Sequence, residues 1–212
     1  MLKVGLTGGI ASGKSVVGEM LVALGAHLVQ ADDIAHQLML PGQPVYDEVV
    51  RHFGSAILNP DGSVNRAKLA EAAFGKAAGP SRINELNRIV HPAVIRCQEE
   101  WMEEVGRQER HAVAIVEAAL ILEAGVAKRF DRLIVVTCTD QQHIARFAAR
   151  QKLDLDAARK EVARRMAAQL PDAEKIKAAD YVIDNSGSLD RTQEQVRQVW
   201  EKLRSESIVK RP

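Results

Sequence analysis

The sequence predicts a three-layer α/β fold in which helices cover both faces of a parallel five-stranded sheet. Three observations carry this reading. Short apolar runs rich in β-branched residues alternate with longer segments of helical period. The runs AVAIV and LIVV are continuous rather than alternating, as expected of strands buried on both faces. A glycine-rich segment separates the first apolar run from the first helical one, where the chain must turn sharply.

In chain order, strands are predicted over 2–7, 27–31, 111–116, 132–138 and 181–183, and helices over 14–24, 139–150 and 189–204. Residues 41–110 break this rhythm. Pro41-Gly42 and Asn59-Pro60-Asp61-Gly62 read as turns, and helical patterning returns over 66–74 and 81–104, so a mainly helical insert is expected. Between Gln141 and Lys177 basic residues outnumber acidic ones, which marks a candidate anion-facing lobe. The predicted organisation is a core of 1–40, 111–140 and 179–212, a helical acceptor lobe of 41–110 and a basic lid of 141–178. The closing SESIVKRP, short and charged, is expected to fray.

Composition narrows the function. The 212 residues are 46% hydrophobic and 27% charged, an ordinary globular balance, and 29 Lys and Arg against 28 Asp and Glu leave a net charge of +1. So even a balance gives no general attraction to nucleic acid; charge that binds phosphate has to be local. Cys97 and Cys138 sit in apolar sequence without metal-ligand spacing and read as buried free thiols, giving neither a disulfide nor a zinc site. No stretch approaches the roughly 20 apolar residues of a membrane span, and no leader is seen, so a cytoplasmic protein with neither a membrane nor a nucleic-acid partner is expected.

The chemistry is concentrated in Gly8-Gly9-Ile10-Ala11-Ser12-Gly13-Lys14-Ser15, a full match to G-x-x-x-x-G-K-[ST] between a strand and a helix. This predicts a P-loop NTPase fold with ATP and Mg²⁺ as its ligands. Glycines let the backbone N–H groups close around phosphate without a Cβ in the way, and the helix adds the positive end of its dipole. Lys14 supplies charge to the β- and γ-phosphates, and Ser15 a magnesium ligand. Asp32, at the end of the second strand, is placed to hold an acceptor hydroxyl, although Asp also suits the N-cap of the next helix. Glu117, ending AVAIV, is placed to face magnesium through water. No NKxD element is present and no DxxG switch follows the second or third strand, which disfavours a signalling GTPase.

Several further segments resemble the dephospho-coenzyme A kinase family over essentially the whole chain: LTGGIASGKS, ADDIAHQ with the following PG, RAKLAEAAF, LNRIVHP, EAALILEAG, RLIVV, ARFAAR, the lone Gln169 and ADYVIDNSGS. The resemblance implies a kinase of the nucleoside-monophosphate-kinase type that phosphorylates the ribose 3′-hydroxyl of dephospho-coenzyme A. It implies that Asp32 binds the acceptor hydroxyl, that Lys14 and Arg146 act in catalysis with Arg150 as a second lid arginine, and that Arg66 and His91 face the acceptor. Asn185 then lies where the base is held. The chain departs from the family pattern at Gln30, where an aspartate is usual, at Ala119, usually proline, and at Glu117, commonly aspartate. Trp101 and Trp200 are expected to pack rather than stack on a base. A monomer or weak homo-oligomer is expected. Two other readings share the motif: a P-loop kinase of a nucleotide or shikimate-like acceptor, and a non-catalytic ATP switch.

Overall fold

The computed structural model describes residues 1–74 and 81–210. The elements run β1 (Leu2–Gly8), α1 (Lys14–Ala23), β2 (His27–Gln30), α2 (Ala31–Leu38), α3 (Pro44–Phe53), α4 (Arg66–Phe74), α5 (Ile83–Gln108), β3 (Val113–Glu117), β4 (Arg132–Thr137), α6 (Asp140–Gln151), α7 (Leu155–Met166), α8 (Asp172–Ala178), β5 (Tyr181–Asp184) and α9 (Leu189–Val209). The chain forms two compact units, Met1–Val29 with Met102–Pro212, and Gln30–Trp101.

The larger unit is built on the parallel sheet, in the order β2-β3-β1-β4-β5. Central β1 pairs with β3 on one side and β4 on the other, so that Leu6 lies opposite both Glu117 and Ile134. Side chains alternate between faces with period two. Leu2, Val4 and Leu6 of β1 and Ile134 and Val136 of β4 share one cluster with Val17 and Leu21 of α1 and Val196, Trp200 and Leu203 of α9. Leu133 and Val135 pack on the other face with Ile121 and Phe130. Each such side chain contributes about 1.5–3 kcal/mol by leaving water, which is why these strands read as unbroken apolar runs. Over the phosphate loop, α6 and α7 pack Phe147, Ala148, Ala158 and Val162 against Ile10.

All five predicted strands are present, with ends shifted by a residue or two. β4 stops at Thr137 because Thr139 caps α6: its hydroxyl accepts from Gln142 N at 3.3 Å, while Gln142 Oε1 accepts from Thr139 N at 3.1 Å. The segment expected to fray is helical as far as Val209, held by the buried Ser207, whose carbonyl meets His111 Nδ1 at 3.1 Å. Both thiols are free, but each is partly exposed rather than buried. Among the described residues no helix is long and apolar enough to cross a membrane.

The smaller unit is mainly helical. Its core joins Val45, Val49 and Phe53 of α3, Leu69 and Ala73 of α4, and Val90 and Val94 of α5. The turn at Asn59-Pro60-Asp61-Gly62 closes a short antiparallel bridge between Leu58 and Val64. The division falls at 30 and 101 rather than at 41 and 110. α2 belongs here because Ile34, Ala35 and Leu38 pack into this core, and α5 continues unbroken past residue 101 to Gln108.

Candidate active site

The phosphate loop is fixed by contacts that only glycine permits. A Cβ on Gly8 would stand 2.2 Å from the Val136 carbonyl oxygen, and one on Gly13 would stand 2.0 Å from Asn185 Nδ2. Gly13 also has φ +97°, in the left-handed region. Gly13 occupies the N-cap of α1, which has no side-chain cap and no acidic residue in its first turn, so the helix itself brings no negative charge to the positive end of its dipole. Behind the loop, Asn185 Nδ2 donates to the Ser12 carbonyl at 2.8 Å and its Oδ1 accepts from Thr192 Oγ1 at 3.0 Å. Arg146 donates to the Ser12 carbonyl at 3.2 Å and to the Asn185 carbonyl at 2.8 Å. Asn185 and Arg146 thus meet at the loop, with the Asn185 amide bracing Ser12. Arg150, a turn further along α6, is exposed beside the Phe147 ring at 5.8 Å. Of the other basic residues of this lobe, Arg164 and Arg165 pair with Glu161 at 2.7 and 2.6 Å and Lys177 with Glu174 at 2.7 Å.

Inside the loop, Lys14 Nζ donates to the Gly8 and Gly9 carbonyls, 3.0 Å from each. Ser15 Oγ donates to Glu117 Oε1 at 2.9 Å, and Glu117 is buried at the carboxyl end of β3. A hydroxyl and a carboxylate in contact at the start of α1 suit a hard divalent cation, which prefers oxygen. Among the described residues no three His, Cys, Asp or Glu converge on a cation site. A magnesium ion that keeps its waters and takes phosphate oxygens needs only one or two protein ligands, so the Ser15–Glu117 pair fits it.

A second cluster escaped the sequence reading. His143 of α6 is fully buried, with Nδ1 against the Ile10 carbonyl and Nε2 3.5 Å from Asp172 Oδ2 at the start of α8. Lys175, also buried, donates to Gln169 Oε1 at 3.0 Å and lies 3.5 Å from Glu123 Oε1 and 3.9 Å from Asp172 Oδ1. The neighbouring Asp172 carboxylate, and after it Cys138, raise His143 to about 10, against the opposing effect of burial. Asp172 is held below the usual carboxylate range by His143 first, then by the charges of Lys175, His143 and Lys14. The available signal was spacing, because His143 precedes Arg146 by three residues on the same helix face.

In the smaller unit, Asp32 is exposed as the second residue of α2, not its cap; that position is Gln30, which makes no side-chain capping bond. Arg66 is exposed as the first residue of α4. His91 is partly buried on α5, and burial pushes its pKa down, favouring the neutral ring.

A glycine loop between β1 and α1, Lys14 and Ser15 on the first turn, and an acid ending the neighbouring strand define the class of P-loop kinases. Solved structures agree on the fold. A Thermus thermophilus protein superposes with a TM-score of 0.77 at 31% identity, covering 95% of this chain and 97% of its own. At the level of fold alone, the Campylobacter jejuni dephospho-CoA kinase gives 0.68 at 23% identity over 96% of this chain and 98% of its own. Within this class the chain belongs to the dephospho-CoA kinase family, which matches residues 2–191. The dephospho-CoA kinase of Syntrophotalea carbinolica is 40% identical over 92% of this chain and 89% of that one. That of Geobacter metallireducens is 39% identical over the full length of both.

Proposed function

We propose that this chain transfers the γ-phosphoryl group of ATP to the ribose 3′-hydroxyl of dephospho-CoA, giving CoA and ADP. The observation that carries the reading is the braced loop bearing Lys14 and the Ser15–Glu117 pair, in a chain of the dephospho-CoA kinase family. Phosphoryl transfer demands alignment and neutralisation of charge more than covalent help. The loop backbone from Gly8 to Gly13 is the cradle for phosphate. Lys14 exchanges its two carbonyl partners for phosphate oxygens at little cost, because its ammonium is hydrogen-bonded before and after. Ser15 and, through water, Glu117 are the residues that would hold magnesium, which would supply positive charge against phosphate oxygens. Arg146 adds charge at the loop's far side and Arg150 is free to swing from the surface. Asp32 accepts a hydrogen bond from the acceptor hydroxyl, aiming a lone pair at phosphorus and taking the proton late. Arg66 and His91 serve the acceptor; the main chain around Asn185 serves the base.

The proton leaves late because the hydroxyl is acidified as its new bond forms. Free thiols and the want of a spanning helix among the described residues suit a cytoplasmic enzyme. The reaction uses one chain's residues, so a monomer suffices.

The test is phosphotransfer to dephospho-CoA with the new phosphate located on the product. Phosphate on the ribose 3′ position is expected, and no transfer, or transfer only to a nucleotide or shikimate, overturns the reading. Asp32→Asn is expected to lose most turnover with ATP affinity nearly unchanged, and Lys14→Ala to lose both. Undiminished turnover in Asp32→Asn removes that carboxylate from the mechanism.

A further inference from the structure

The ends of the buried cluster touch two different things. One end is the phosphate loop itself: His143 Nδ1 meets the Ile10 carbonyl, and a Cβ on Gly9 would lie 2.9 Å from His143 Cε1 and 3.3 Å from Asp172 Oδ1. The other end is the frame behind α8, where Lys175 reaches Gln169 and Glu123, and Glu123 Oε1 accepts from Leu170 N at 2.9 Å. The cluster therefore joins α6, α8 and the segment after β3 to the loop.

Its charges matter because of where they lie. Asp172 Oδ1 lies 3.3 Å from where a Cβ on Gly9 would stand, so its negative charge is set against the phosphate loop. Lys175 is shared with Glu123, and those two cancel. That leaves His143, wholly out of solvent, to cancel Asp172. With a neutral ring, a net negative charge would remain beside the loop in a site of low dielectric, where it opposes phosphate strongly.

We propose that His143 and Asp172 are positioning residues of the phosphate site: an imidazolium–carboxylate strut that fixes the loop apex through the Ile10 carbonyl and cancels the negative charge α8 brings there. The proposal rests on the nucleotide reading of the loop and assigns the strut to ATP, not to the acceptor. The groups facing His143 are Asp172 with Lys175 behind it from α8, Cys138 beyond β4, and the Ile10 carbonyl, while Lys14 acts on the same carboxylate. Because Asp172 and Cys138 raise the ring to about 10, the strut stays charged throughout the neutral range.

The experiment compares the full chain with His143→Gln, Asp172→Asn and the double variant, measuring kcat and KM for ATP and for dephospho-CoA between pH 6 and 9. Glutamine can still donate to the Ile10 carbonyl but carries no charge. His143→Gln is expected to raise KM for ATP by about tenfold, the effect of roughly one uncompensated charge, with KM for the acceptor within about twofold. Adding Asp172→Asn is expected to bring KM for ATP back to within about threefold of the native value, since the opposing charge is gone. Asp172→Asn alone removes the largest cause that raises the ring, so its KM for ATP is expected to rise with pH between 6 and 9 while the native value stays flat. An unchanged KM in His143→Gln, or a double variant no better than His143→Gln, overturns the proposal. If His143→Gln does not fold, the profile of Asp172→Asn decides, and a flat profile overturns it. Failure of the native chain to bind ATP would instead sink the nucleotide reading itself.

Discussion

Single residues around the loop have little tolerance. Gly13 combines a left-handed backbone with Asn185 Nδ2 2.0 Å from where a Cβ would lie. Gly13→Ala must strain the backbone and displace the side chain that holds Ser12, so it is expected to abolish ATP binding and to cost more than about 2 kcal/mol in a urea melt. Gly42 is the control. It has φ +89° with nothing within 4 Å of a built Cβ, so Gly42→Ala is expected to cost about 1 kcal/mol and leave binding intact. Thr192 is buried and its hydroxyl satisfies Asn185 Oδ1. Thr192→Val keeps the shape but leaves that oxygen unpaired, and thermal denaturation is expected to show a loss of about 1–3 kcal/mol together with weaker nucleotide binding. A melt unchanged in Thr192→Val would show that Asn185 needs no second anchor.

At the scale of elements, capping separates α7 from α2. Asp154 caps α7 through its side chain on Ala157 N at 2.8 Å, whereas Gln30 occupies the same position of α2 without such a bond. Asp154→Ala is expected to destabilise by about 1 kcal/mol, and Gln30→Asp to stabilise by about 0.5–1 kcal/mol, both read as shifts in the chemical-denaturation midpoint. A lower midpoint for Gln30→Asp would mean that the aspartate repels Asp32 and Asp33 in the same first turn more than it caps. The elements most legible in the sequence were those whose cause is local. The loop's chemistry lies in eight consecutive residues, and strands buried on both faces announce themselves as apolar runs. The braces were not legible, because Asn185 acts on Ser12 from 173 residues away and His143 on Ile10 from 133. The predicted boundary at 110 missed the division at 101 because α5, 26 residues long, carries one helical pattern straight through it. Asp32, read as ending the second strand, lies in the first turn of α2, and its suitability as a cap misled, since α2 starts two residues earlier than a cap there requires.

For the whole molecule, the buried cluster adds its own dependence of stability on pH. His143 is raised to about 10 from its ordinary 6.5, so folding favours the protonated ring. That contribution is complete below about pH 6.5 and is lost as pH rises through the folded value near 10. Asp172 has the opposite sense: its folded pKa is depressed, so its contribution is present above about pH 4 and is lost in acid. Urea titrations at a series of pH values should therefore show the native chain's advantage over His143→Gln shrinking between about pH 6.5 and 10, by at most about 1.4 kcal/mol per pH unit for one proton. A constant difference across that range would mean that the ring does not carry its proton in the folded protein.

The two tryptophans fall one in each unit. Trp200 is packed in the sheet-side cluster beside Gly25, and Trp101 is the last residue of the helical unit. Replacing Trp101 with phenylalanine leaves Trp200 as the single indole, whose emission reports on the sheet-side cluster. Intrinsic fluorescence can thus follow the melting of the larger unit from within its core, with no dye attached.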